Sequence, residues 1–241
     1  MQYFLDTVDT IPAGQGFSNF SPGHLTELAV FLLIAVPVCL FYRRSSHEIR
    51  RKMLRVTAVL LIADEIFKHV MLLIGRNWTP EYLPLHLCSI NLFLATYYAW
   101  KPSKALAGFL YCICLPAALA ALLFPNWSVL PIWNAMRIHS LSVHILLATY
   151  PLMLLCGREV DRNPRQIPKC LLILVILAAI ALAVNLLLDT NFMFLMEAPE
   201  NSPLYFFETA WGNHLLGFPI IIAGILLVMY LPLPKRAKVG V

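Results

Sequence analysis

The sequence predicts an all-α polytopic membrane protein, one domain over residues 1–241, built as a seven-transmembrane-helix bundle with the N-terminus outside and the C-terminus inside. Three observations predict it. Hydrophobic residues make up 60% of the chain and charged residues 13%, with a mean hydropathy of +0.74, outside the balance of soluble domains. Apolar runs long enough for a bilayer follow one another between short polar turns. All Lys and Arg except Lys68, Arg76 and Arg137 fall in alternate turns, which places them on one side.

The runs lie near 24–42, 53–74, 83–100, 104–124, 137–156, 168–188 and 211–233. At 1.5 Å per residue each approaches the roughly 30 Å of a hydrocarbon core, the third only marginally. Arg43, Arg44, Arg50, Arg51, Lys52 and Arg55 follow the first run; Lys101 and Lys104 follow the third; Arg158, Arg162, Arg165 and Lys169 follow the fifth; Lys235, Arg236 and Lys238 close the chain. These four segments share a side if the chain crosses seven times, and positive charge marks that side as the inner one. The opposite side carries Asp6, Asp9, Glu81, Glu197, Glu200 and Glu208. The first twenty residues are acidic and broken by Pro12, Gly14 and Gly16, so they read as an outer tail and not as a cleaved signal. A net charge of +5 spread in this way offers no basic domain to grip nucleic acid, and membrane lipids are the expected partners.

Pro37, Pro116 and Pro219 fall inside runs, where each is expected to remove a helical hydrogen bond. The connection 189–210 is the longest on the outer side and is placed to fold over the outer mouth. Five cysteines, Cys39, Cys112, Cys114, Cys156 and Cys170, read as small apolar fillers toward the inner face. Cys88 stands apart, in the outer half beside histidine and serine.

Polar groups at membrane depth are the functional candidates, because an ionised group there costs at least ~2.5 kcal/mol and must face the bundle interior. Asp64 and Lys68, and Glu65 and His69, are spaced i to i+4 on the second run. Glu27, His86, His139, His144 and His214 come to nearly the same outer height from other runs, with Asn185 and Asp189 closing the sixth. They read either as a buried ion-pair network that holds helices together or as a polar pocket opening outward. In Leu83-Pro84-Leu85-His86-Leu87-Cys88-Ser89, Pro84 is expected to begin the helix, and the free amides of its first turn favour a thiolate nearby. Residues two apart on a helix diverge, so the base for Cys88 is expected from another helix, with His144 as first choice. The same histidines with Glu27 or Asp189 suit a zinc or iron site, but they arrive singly and not in a paired ligand motif, so no metal is assigned.

Three stretches, LPLHLCSIN at 83–91, SLSVHILLATYPL at 140–152 and NLLLDTNFMFLMEAPENSPL at 185–204, resemble the bacterial YwaF-like integral membrane proteins, related to the eukaryotic transmembrane protein 164 family. The resemblance spans essentially the whole chain. It implies seven spans, a cell-membrane location in the bacterial plasma membrane, and a phospholipid acyltransferase chemistry that uses a cysteine and a histidine, with His86 and His144 as the family histidines. The expectation is a lipid-directed acyl transferase or hydrolase needing no cofactor. Cys88 attacks an acyl ester, His144 takes its proton, and His86 and Asn91 orient groups or hold the oxyanion. Asp64, Glu65, Lys68 and His69 keep the pocket polar. A transporter or binding protein for a small anion or protons, and a structural membrane protein, are the competing classes.

Overall fold

The computed structural model describes residues 2–199 and 202–231, so Glu200, Lys235, Arg236, Lys238 and the end of the seventh run lie outside the described residues. The described residues form eight helices and no strand: α1 Pro22–Arg44, α2 His47–Ile74, α3 Leu87–Trp100, α4 Lys104–Leu123, α5 Ala135–Cys156, α6 Ile167–Leu188, α7 Pro203–Trp211 and α8 Gly217–Tyr230. Helices α1, α4, α5 and the segment Pro164–Leu188 that contains α6 are long and apolar enough to cross a membrane.

Bounds differ from the sequence reading where caps override hydropathy. Helix α2 starts six residues early because Ser46 Oγ accepts from the Ile49 amide and carries the helix through a charged first turn. Helix α3 starts at Leu87 and not at 83: Leu83 to Leu85 fold as a tight turn, with the Leu85 amide on the Leu83 carbonyl at 2.8 Å. The connection 189–210 holds a helix of its own, α7, and the last run begins its helix late. Helix α7 stops at Gly212, which takes φ +70°, and α8 resumes at Gly217 after a short 3₁₀ turn. Pro219 therefore sits in the first turn of α8, where it removes no helical bond.

Two interior prolines shape the core. Pro116 cannot donate to the carbonyl of Cys112, and α4 answers with a π turn over Leu110–Cys114, closed by the Leu115 amide on the Leu110 carbonyl. In α5, Pro151 frees the Leu147 carbonyl, which instead accepts from Cys114 Sγ at 3.6 Å. The two defects thus meet, and the thiol repairs the missing bond.

Helix α5 is the hub and packs against α1, α2, α3 and α4. Tyr42, Phe109, Leu147, Tyr150, Met153 and Leu154 fill the centre. The outside is apolar instead, with Leu33 of α1 73% and Leu187 of α6 81% exposed, while Glu27, Glu65, Lys68, Arg137 and His139 are buried. Charges inside and leucines outside are what a hydrocarbon solvent requires.

The N-terminal tail binds one end of the bundle. Asn134 caps α5, its Oδ1 accepting from Met136 and Arg137 amides at 2.8 and 3.1 Å, while its Nδ2 donates to the Tyr3 and Asp6 carbonyls. A Cβ on Gly16 would lie 2.0 Å from the Ser128 carbonyl oxygen, so this residue lets the tail touch the 125–134 connection. At the other end, Arg50 donates to the carbonyls of Tyr42, Ser45, Arg43 and Gly157, which fastens the ends of α1 and α5 together.

Candidate active site

Because α3 begins at Leu87, His86 is its N-cap and Cys88 its second residue. The first intrahelical bond is the Ile90 amide on the His86 carbonyl, and the amides of Cys88 and Ser89 have no partner among the described residues. The expected shelter of a helix start, placed at Pro84 by the sequence, thus falls on the thiol itself.

Helix α5 brings His144 to that thiol. His144 Nε2 lies 3.1 Å from Cys88 Sγ, and its Nδ1 lies 2.6 Å from the Ser140 carbonyl one turn earlier. A carbonyl can only accept, so Nδ1 carries the proton and neutral Nε2 is left to accept from the thiol. Trp127, from the connection before α5, stacks on the His144 ring with centroids 5.0 Å apart and planes at 21°. Sequence reasoning missed Trp127, since nothing in a connection flanked by Pro125 and Pro131 ties it to a helix residue seventeen positions later.

His86, expected to orient groups or hold the oxyanion, makes its contacts with residues 192–194. Its Nδ1 accepts from the Met193 amide at 3.4 Å, and its ring meets Phe192 and Phe194 at 5.3 and 5.6 Å. These residues form a strap from the connection after α6. Asn185 holds it through Phe192, donating to its carbonyl at 3.0 Å and accepting from its amide at 2.8 Å. His214 Nε2 donates to the Phe194 carbonyl at 3.1 Å. Met193 and Phe194 take φ of +57° and +56°, conformations that L residues adopt at a cost. Asp189, which closes α6 in the same region of φ, is exposed and joins none of these contacts.

The carboxylates divide into separate clusters. Asp64 Oδ1 accepts from Ser142 Oγ at 2.6 Å, and its Oδ2 lies 2.8 Å from His139 Nδ1, a close contact off the hydrogen-bonding direction. Lys68 pairs with Glu65 one turn back and not with Asp64, the partner its spacing suggested. Glu65 also meets His69 at 3.3 Å, the expected i to i+4 contact, and His69 Nδ1 accepts from Trp78 Nε1. Glu27 takes a two-pronged contact from Arg137, at 2.7 and 2.8 Å, with the guanidinium over the Phe17 ring at 4.1 Å. His24 spans the Phe20 amide and the Leu122 carbonyl. Asn91, one turn beyond Cys88 on α3 and 1% exposed, has neither amide atom partnered among the described residues. The expected single layer of histidines is therefore three arrangements: the Cys88–His144 pair, the strap on His86 and His214, and the ion pairs of α1, α2 and α5.

A helical bundle with apolar flanks, buried charge and a thiol–imidazole pair defines an integral membrane protein with a candidate nucleophile. The chain matches the TMEM164 family over residues 19–230, and it belongs to that family. No match was found among curated proteins or among solved structures.

Proposed function

We propose that this membrane protein transfers or hydrolyses acyl groups of lipids, with Cys88 as nucleophile and His144 as its base. The observation that carries the reading is the 3.1 Å approach of His144 Nε2 to Cys88 Sγ, with Nδ1 already committed to a carbonyl. His144 takes the thiol proton as Sγ attacks the ester carbonyl carbon, and a C–S bond forms. The oxyanion is held by the free Cys88 and Ser89 amides, with Asn91 as a further donor. When the C–O bond breaks, the imidazolium returns the proton to the leaving alcohol. A second alcohol or water then attacks the thioester, gives its proton to His144, and the collapse restores the thiol.

In this reading the chain crosses the membrane seven times with its N-terminus outside, and the site opens to the outer leaflet. The basic segments support that orientation, and the substrate is a phospholipid or other acyl lipid. The test is purified protein in vesicles of mixed phospholipids, followed by lipid mass spectrometry. Lysolipid or exchanged species that vanish in Cys88→Ser and fall at least 100-fold in His144→Gln support the reading. Unchanged lipids with the wild type would favour the transport or binding alternative.

A further inference from the structure

We infer that Trp127 is a positioning residue for the base, supplying the stabilisation of the His144 imidazolium that a carboxylate supplies in many cysteine and serine enzymes. The inference rests on the Cys88–His144 reading above. Three observations lead to it.

His144 Nδ1 points to the Ser140 carbonyl, a neutral acceptor, so no carboxylate oxygen among the described residues sits behind the base. Asp64 of α2 is the nearby candidate, but Ser142 occupies its Oδ1 and His139 faces its Oδ2. The Trp127 ring covers the imidazole nearly in parallel at 5.0 Å, and it is 2% exposed. A neutral imidazole gains only dispersion from such a stack. An imidazolium gains in addition from the negative face of the indole, and the gain grows where water is excluded. The contact therefore favours the state in which the proton has left Cys88, and it fixes the ring plane so that Nε2 stays aimed at Sγ.

Of the other titratable groups around His144, Asp64 acts on it through charge alone and without contact, its oxygens being turned to Ser142 and His139. His139 on the same helix opposes a second positive charge when protonated, and Cys88 of α3 is the proton donor. Cys114 of α4 is engaged with the Leu147 carbonyl.

The experiment reads the dyad without a substrate. Iodoacetamide alkylation of Cys88 is followed by peptide mass spectrometry from pH 5 to 10 in the detergent-solubilised full chain. In the wild type an imidazolium–thiolate pair gives a plateau at neutral pH below the final rise of the free thiolate. Trp127→Leu is expected to lower that plateau about tenfold, and still to reach the wild-type rate at the alkaline end, where the thiol ionises unaided. Trp127→Phe, which keeps a π face, is expected to recover most of it. A Leu variant with the wild-type profile, or one slowed equally at every pH, would overturn the inference, the second outcome marking Trp127 as mere packing. Should Trp127→Leu fail to fold, fluorinated tryptophans placed at 127 preserve shape while draining the ring face; a plateau that does not fall with fluorine content overturns it equally. If His144→Gln leaves the wild-type plateau intact, the Cys88–His144 reading itself is what has failed.

Discussion

Ser140 and His144, one turn apart on α5, share the contact that decides what the imidazole can do: the Ser140 carbonyl oxygen holds Nδ1 at 2.6 Å. Only the backbone of Ser140 is used, so its side chain can be changed without changing the tautomer. Ser140→Ala is expected to leave Cys88 alkylation at neutral pH within about twofold of the wild type, whereas His144→Ala lowers it by at least about tenfold. Peptide mass spectrometry after brief alkylation checks both.

Asn185 holds the strap at both ends of one residue and also accepts from Thr190 Oγ1 at 3.0 Å. Asn185→Ala leaves the buried Phe192 amide without its partner and its carbonyl with only the Leu195 amide at 3.4 Å, a loss of about 1–3 kcal/mol on a segment already strained at Met193 and Phe194. Hydrogen exchange is expected to quicken over residues 190–196 while α5 stays protected. Faster alkylation of Cys88 in the same variant would follow from loss of the Met193 contact on His86, two residues before the thiol.

Glu27 and Arg137 join α1 to α5 through a buried ion pair in which Oε1 meets both Nε and Nη2. Glu27→Gln strands a guanidinium in the interior and is expected to cost about 3–5 kcal/mol, read as a lower unfolding midpoint in detergent. Glu27→Leu combined with Arg137→Met removes both charges and should recover most of that loss.

Asp64 ties α2 to α5 through Ser142 and His139. Ser142→Ala removes the hydroxyl donor to Asp64 Oδ1 and is expected to cost about 1–3 kcal/mol. Because Ser142 does not touch His144, the pH dependence of Cys88 alkylation should keep its shape. A change in that shape would tie Asp64 to the base more closely than the contacts do.

Much of the architecture was legible because hydropathy is a strong, local signal: α1, α4, α5 and α6 start and end within a few residues of the apolar runs. What hydropathy misses is the cap. Ser46 extends α2 into charged sequence, and the turn at Leu83 to Leu85 delays α3, which moves Cys88 into the first turn and turns His86 from a helix residue into a hinge for the strap. The site was legible in part. Helix geometry separates His86 from Cys88 and leaves a base from another helix, and the structure brings His144 there. Charge pairing by spacing succeeded for Glu65 with His69 and failed for Asp64, whose partners come from α5 and are set by packing. Trp127 and the grip of Asn185 on Phe192 depend on how connections fold back, which no periodicity records.

The central claim is that Cys88 becomes acylated. The direct measurement is peptide-level mass spectrometry of wild type and Cys88→Ser after incubation with phospholipid vesicles, with and without hydroxylamine, which cleaves thioesters. The account predicts a fatty-acyl mass on the Cys88 peptide that hydroxylamine removes and that is missing in Cys88→Ser. A Cys88 peptide that stays unmodified while lipid products still form would contradict it.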